Sequence, residues 1–100
     1  MKVVWSATVV DELTSIHDYL AEQADPDSAR SVVARLIRRG EQIAAYPESG
    51  RAVRDFGSPS IREVVEGPYR LVYEVNRPAD RIEIVAVFHG ARLPPWLREG

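Results

Sequence analysis

Cysteine is missing from this 100-residue chain. Disulfides and thiolate chemistry are therefore excluded, and a structural zinc site loses its usual sulfur ligands. Histidine is scarce as well: only His17 and His89 occur, so no metal site and no cofactor are expected. No stretch approaches the roughly 18 apolar residues of a membrane span, and the opening residues do not read as a signal peptide. The expectation is a cytoplasmic protein with no membrane partner. No Gly-rich phosphate loop, Gly-x-Ser-x-Gly motif or internal repeat is present. Lysine is almost absent: of 13 basic residues only Lys2 is Lys, and the others are Arg. Guanidinium suits bidentate contacts with carboxylate or phosphate and is common at interfaces. A GC-rich coding sequence would produce the same bias.

The length and a hydrophobic fraction of 45% fit one small domain over residues 1–100, with residues 93–100 as a tail. A net charge of −2 argues against general affinity for nucleic acid. The charge is uneven. In residues 1–25 Lys2 faces Asp11, Glu12, Asp18, Glu22 and Asp25, whereas in the remainder the arginines outnumber the acids. An acidic first helix beside a mildly basic body suggests two different surfaces.

Residues 69–92 organise the chain. Tyr69, Leu71, Tyr73 and Val75 alternate with Arg70, Val72 and Glu74; after a turn over Asn76-Arg77-Pro78-Ala79-Asp80, Ile82, Ile84, Ala86 and Phe88 alternate with Glu83, Val85, Val87 and His89. Such alternation predicts a hairpin. Pairing Val72 with Val85 puts Arg70 opposite Val87, with His89 one step further on the same face. Tyr69, Leu71, Tyr73, Ile82, Ile84, Ala86 and Phe88 then form the core face.

In chain order, Lys2-Val3-Val4-Trp5 reads as an opening strand and Ser6 as a helix N-cap. Val9, Leu13, Ile16, Leu20 and Ala24 form the apolar stripe of a first helix, with His17 at its margin. Asp25-Pro26 starts a second helix, with Ala29, Val32, Val33, Leu36, Ile37, Ile43 and Ala44 on one side and Arg30, Arg35, Arg38 and Arg39 largely on the other. Gly40, near the apolar stripe, either permits close packing or weakens the helix. Two such helices with so short a break form an antiparallel hairpin. Tyr46 to Arg51 turns the chain, Val53 to Phe56 reads as a strand fragment, and Ile61 to Glu66 as a strand. Pro94 and Pro95 keep the tail out of any sheet, so Trp96 and Leu97 either fold back or await a partner. The fold class is α+β: a helical hairpin packed on one face of a small, mainly antiparallel sheet, in the order β-α-α-β-β-β.

One set of residues has chemical potential. RNA phosphodiester cleavage needs a base, an acid and cations for the pentavalent charge, and Arg62, Arg70 and His89 supply part of that if they converge. The plainer reading is an Arg–Glu ladder over Arg62, Glu63, Glu66, Arg70 and Glu74, with His89 as a strand-end hydrogen bonder. The residue types favour the ladder, and its acids would repel an RNA backbone.

Several pieces occur together in a specific order: Trp5 before Asp11-Glu12-Leu13-x-x-Ile16-His17-Asp18-Tyr19-Leu20, the Asp25-Pro26 start, Pro47-x-x-Gly50-Arg51, Ile61-Arg62-Glu63-Val64, Tyr69-Arg70-Leu71-Val72-Tyr73, and Val87-Phe88-His89-Gly90-Ala91-Arg92. Across nearly the whole chain this resembles the RelE/ParE superfamily of bacterial toxin–antitoxin toxins, whose fold agrees with the one read from the residues. The resemblance implies one of two activities. RelE-like members are ribosome-dependent mRNA endonucleases, in which Arg70 matches a strand arginine and His89 a C-terminal histidine. ParE-like members act on DNA gyrase and lack that catalytic set. Here Gly90 stands where the endonucleases end in a catalytic Tyr, and the segment from Arg51 to Ile61 holds no Lys. These departures, the His-Gly-Ala-Arg ending and the long helical hairpin are similar to ParE-like members.

The leading expectation is thus a gyrase-inhibiting, plasmid-stabilising toxin with no catalytic residue, neutralised by a cognate antitoxin in a hetero-oligomer. Arg35, Arg38 and Arg39 are the antitoxin-binding candidates, and Arg92 and Trp96 the target-binding ones. The alternatives are an endonuclease acting on ribosome-bound mRNA through Arg62, Arg70 and His89, and a non-toxic module that only binds an antitoxin.

Overall fold

The computed structural model describes residues 1–92 and 94–97. Helix α1 spans Ala7–Gln23 and helix α2 spans Pro26–Ile43. Both begin where the sequence places caps. Ser6 Oγ accepts the Val9 N–H at 3.1 Å, and the Asp25 carboxylate accepts the Ser28 N–H at 2.8 Å, with Pro26 in the first turn. Only Ala24 and Asp25 separate the helices, which leaves them packed against each other as a hairpin.

The strands are β1 (Lys2–Trp5), β2 (Arg51–Ala52), β3 (Ile61–Glu66), β4 (Tyr69–Asn76) and β5 (Arg81–His89). They form one sheet in the order β1-β5-β4-β3-β2, antiparallel except for β1, which runs parallel to β5. The helical hairpin covers one face. Between the two layers Val9, Leu13, Leu36 and Ile43 of the helices meet Val64, Leu71, Tyr73, Val75, Ile82, Ile84 and Val87 of the sheet. Trp5 closes one end: a Cβ at Gly40 would fall 2.3 Å from its ring, so Gly40 is there for close packing. Tyr73 fixes the other end. Its buried hydroxyl accepts the Gly50 N–H at 2.9 Å and donates to the Pro47 carbonyl at 2.8 Å, tying the turn after α2 to the sheet.

The expected hairpin exists but its register differs. Val72 pairs with Ala86 and Tyr73 with Ile84, so Val85 is an extra residue, a β-bulge. Beyond it the two faces of β5 exchange. Val87 and His89 join Leu71 and Tyr69 on the helix face; Ala86 and Phe88 join Arg70 and Val72 on the outer face. The alternation could not reveal this, because Ile84-Val85-Ala86-Val87-Phe88 is unbroken apolar sequence serving cores on both faces. Ala86 and Phe88 are buried as expected, but in a second, smaller cluster with Val53 and Val72.

The predicted strand fragment at Val53 to Phe56 is also corrected. The edge strand is Arg51–Ala52, and Arg54–Phe56 is a 3₁₀ turn closed by Gly57 at φ +60°. This turn and the tail meet over the outer face. Trp96 donates its indole N–H to Asp55 at 2.7 Å and packs on Phe56 and Phe88, with ring centroids 4.9 and 5.7 Å away. Trp96 thus folds back, whereas Leu97 is exposed. The tail assigned to residues 93–100 is described at 94–97; residues 93 and 98–100 lie outside the described residues.

Candidate functional site

The charged site of the outer face follows from pairing across three strands. Arg51 on β2 lies directly opposite Glu63 on β3, which lies opposite Val72 on β4. Arg70, two residues before Val72, is therefore the diagonal neighbour of Glu63. Arg51 Nε and Nη2 both lie 2.7 Å from Glu63 Oε1. Arg70 Nη1 is 3.6 Å from the same oxygen, attracted but beyond hydrogen-bond distance. Glu63 is the one buried charged residue among those described. A carboxylate so placed needs cationic partners, and two guanidiniums supply them.

Arg62, Arg70 and His89 are not brought together. Arg62 pairs with Tyr73, which puts it on the helix face, where its Nη1 donates to the Gly50 carbonyl at 2.8 Å. His89 pairs with Tyr69, also on the helix face but at the other end of β4. Its Nδ1 accepts the Ala91 N–H at 3.1 Å, and its ring stands edge-on to Tyr69 at 5.6 Å. Arg70 is alone of the three on the outer face. The Arg–Glu ladder is partly realised, through Glu63 and Arg70 with Arg51 added.

Two of the grooves that flank the helical hairpin lie beside candidate residues. One, of about 560 Å³ between α1 and α2, is lined by Trp5, Val10, Leu13, Val33 and Ile37. Val10 and Ile37 stand exposed there. Arg35 and Arg38 on α2 are exposed and Arg39 half-buried, and no ion pair engages them among the described residues. The other groove, of about 830 Å³ between α1 and the end of β5, is walled by Asp11, Ser15 and Tyr19 on one side and Tyr69, His89 and Arg92 on the other. At its floor Glu12 Oε1 accepts the Val87 N–H at 3.0 Å, beyond the point where β1 ends. Burial, and next to it Tyr19, push the Tyr69 hydroxyl above its ordinary value, with Arg92 acting the other way. Arg92 and Trp96 occupy different surfaces: Arg92 is exposed beside this groove, and Trp96 is clamped to the outer face. Sequence reasoning placed Arg51 in a turn and missed its part in the charged site. The signal was its separation from Glu63, which only the strand pairing turns into contact.

Among the described residues no group of His, Asp and Glu is arranged to hold a metal ion. No helix is long and apolar enough to cross a membrane.

Comparison with known proteins decides the family. The model for the ParE toxin of the type II toxin–antitoxin system parDE matches residues 3–94. The chain belongs to the ParE toxin family. Among its relatives, Toxin RelE2 of Caulobacter vibrioides is 37% identical over 94 residues, covering 92% of this chain and 98% of that one. Putative toxin Y4kP of Sinorhizobium fredii is 36% identical over 90 residues, covering 88% and 86%. A solved chain described as the chromosomal ParDE TA system from P. aeruginosa superposes with a TM-score of 0.75 at 16% identity, covering 89% of this chain and 95% of that one. That likeness is one of fold. The ParE-family assignment makes this chain a toxin of a type II toxin–antitoxin pair, with an antitoxin as its partner.

Proposed function

We propose that the chain acts in the cytoplasm as a ParE-like toxin that inhibits DNA gyrase, and that its cognate antitoxin neutralises it in a hetero-oligomer. The observation that carries the reading is the separation of Arg62, Arg70 and His89. Acid–base cleavage of RNA requires its groups within hydrogen-bond reach of one phosphate. Here Arg70 faces away from the other two, and each of the three already has a partner in the protein. A toxin that binds an enzyme and traps it needs no such convergence, only a complementary surface. Arg92, beside the groove of α1 and β5, remains a target-contact candidate in this reading. Arg35, Arg38 and Arg39 remain candidates for antitoxin contacts on α2.

The test is a gyrase supercoiling and DNA-cleavage assay with purified protein, run beside ribosome-programmed mRNA cleavage. Inhibited supercoiling with intact mRNA is the expected result. Cut mRNA with unaffected gyrase would overturn the proposal and return Arg62, Arg70 and His89 to the catalytic role.

A further inference from the structure

The outer face carries an arginine pair whose charge is only half met. Arg51 takes Glu63 Oε1 through two nitrogens, and Arg70 stands 3.6 Å from the same atom. One carboxylate between two guanidiniums leaves one positive charge in excess. The Glu63 side chain is 8% exposed, whereas those of Arg51 and Arg70 are 66% and 35% exposed. The buried acid therefore anchors the pair from below, and donors of both guanidiniums face solvent. Gly90 keeps the approach open: a Cβ there would fall 3.3 Å from Arg70 Nε and 3.2 Å from the Pro68 carbonyl. Val65 lies opposite Arg70 on the neighbouring strand and is 56% exposed, an apolar residue in direct line with the pair.

We propose that Arg51 and Arg70, gathered on Glu63, form a clamp for a side-chain carboxylate of an acidic antitoxin segment crossing the outer face, with an apolar residue of that segment on Val65. The occupant rests on the family assignment, which supplies an antitoxin. Its chemistry rests on the site. Two guanidiniums a short distance apart match the oxygens of one carboxylate. Glu74 and Glu83 face each other on the same side of the sheet. A phosphodiester chain, charged at every residue, would run into them; an isolated acidic side chain beside an apolar one does not. The exposed Val65 adds burial that a sugar–phosphate backbone would not use.

The full chain, with isotope-labelled arginine, is titrated with a short Ser-Gly peptide carrying one Glu and one Leu, the same peptide with Gln in place of Glu, and a short oligothymidylate. The Arg51 and Arg70 Nε–H resonances are followed by NMR. The Glu peptide is expected to shift both resonances saturably, and the Gln peptide to leave them in place. Arg51→Ala and Arg70→Ala are each expected to weaken binding of the Glu peptide about fivefold. Arg51 lies on the exposed edge strand, so its variant reports even if the Arg70 variant fails to fold. Three results would overturn the proposal: no shift at either guanidinium, an equal loss of binding in Arg77→Ala, or tighter binding of oligothymidylate at the same two residues. The titration does not depend on toxicity. Harmless high-level expression of the folded chain would count against the toxin assignment alone.

Discussion

The two faces of the sheet are built on different terms. The helix face holds the larger apolar core, with Arg62 and His89 at its margins, and is covered by two long helices. The outer face has a small apolar cluster under a 3₁₀ turn and a few tail residues, then a charged site left open to water. β4 and β5 contribute to both. A protein of this size cannot build two large cores, so one face holds the fold together and the other is free to carry specificity. The Val85 bulge joins the two solutions. Before it, Ile82 and Ile84 serve the helix face; after it, Val87 takes over that duty and Phe88 turns outward to meet Trp96.

Inserting one residue between Ala86 and Val87 is the strongest way to break this contrast. With the added residue, the end of β5 would present Phe88 to the helices and Val87 to the outer face, or β5 would slip along β4. Such a shift misplaces every side chain from residue 87 onward. The loss is expected to exceed about 4 kcal/mol, enough to abolish cooperative unfolding in a marginally stable domain. A urea transition of normal steepness in the insertion variant would show that the phase of β5 beyond the bulge is dispensable.

A milder comparison removes one side chain from each face. Leu71→Ala, under the helices, is expected to cost about 2–5 kcal/mol because the fully buried site has little freedom to collapse. Trp96→Ala, on the half-buried strap, is expected to cost about 1–2 kcal/mol, since it removes partial burial and one exposed hydrogen bond. Urea midpoints of the two variants give the ranking directly. Equal losses would mean that the outer cluster is as much a core as the inner one.

The smallest effect lies at the start of α2, remote from both faces. Hydrogen bonds from Ser28, first its backbone N–H and then its hydroxyl, hold the Asp25 carboxyl below its usual value of 3.8. A depressed acid stabilises the fold above its unfolded value and loses that contribution as pH falls through the folded one. Asp25→Asn keeps a capping side chain without the titration. Its stability relative to the wild type should therefore improve below pH 3.8 compared with neutral pH, by a small margin because the site is fully exposed. Thermal melts at the two pH values measure it, and parallel losses in both proteins would remove Asp25 from the acid response.

What could be read from the sequence follows from how local each signal is. Ser6, Asp25 and Pro26 act within a turn of their own positions, and both helices begin where these residues place them. The alternation of Tyr69 to Val75 sets the faces of β4 because Arg70 and Glu74 interrupt the apolar residues. β5 has no such interruption from Ile84 to Phe88, so its phase was decided by tertiary packing. The charged site depended on that phase and on a two-residue edge strand too short to leave a pattern. Arg70 and His89 therefore looked like neighbours on one face, and the partnership of Arg51 with Glu63 was invisible.

The parallel pairing of β1 with β5 has a consequence for synthesis. The first strand made and the last strand made are neighbours, and β5 also lies between β1 and β4. During translation the helical hairpin is complete early, but the strand that its apolar stripe rests on emerges at the end. Contacts this distant along the chain close slowly. A product terminated before Arg81 lacks the strand that both β1 and β4 require, and its exposed apolar helices make it a substrate for aggregation or proteolysis. The topology thereby makes assembly of the sheet, and of the open arginine pair on its outer face, conditional on synthesis of β5.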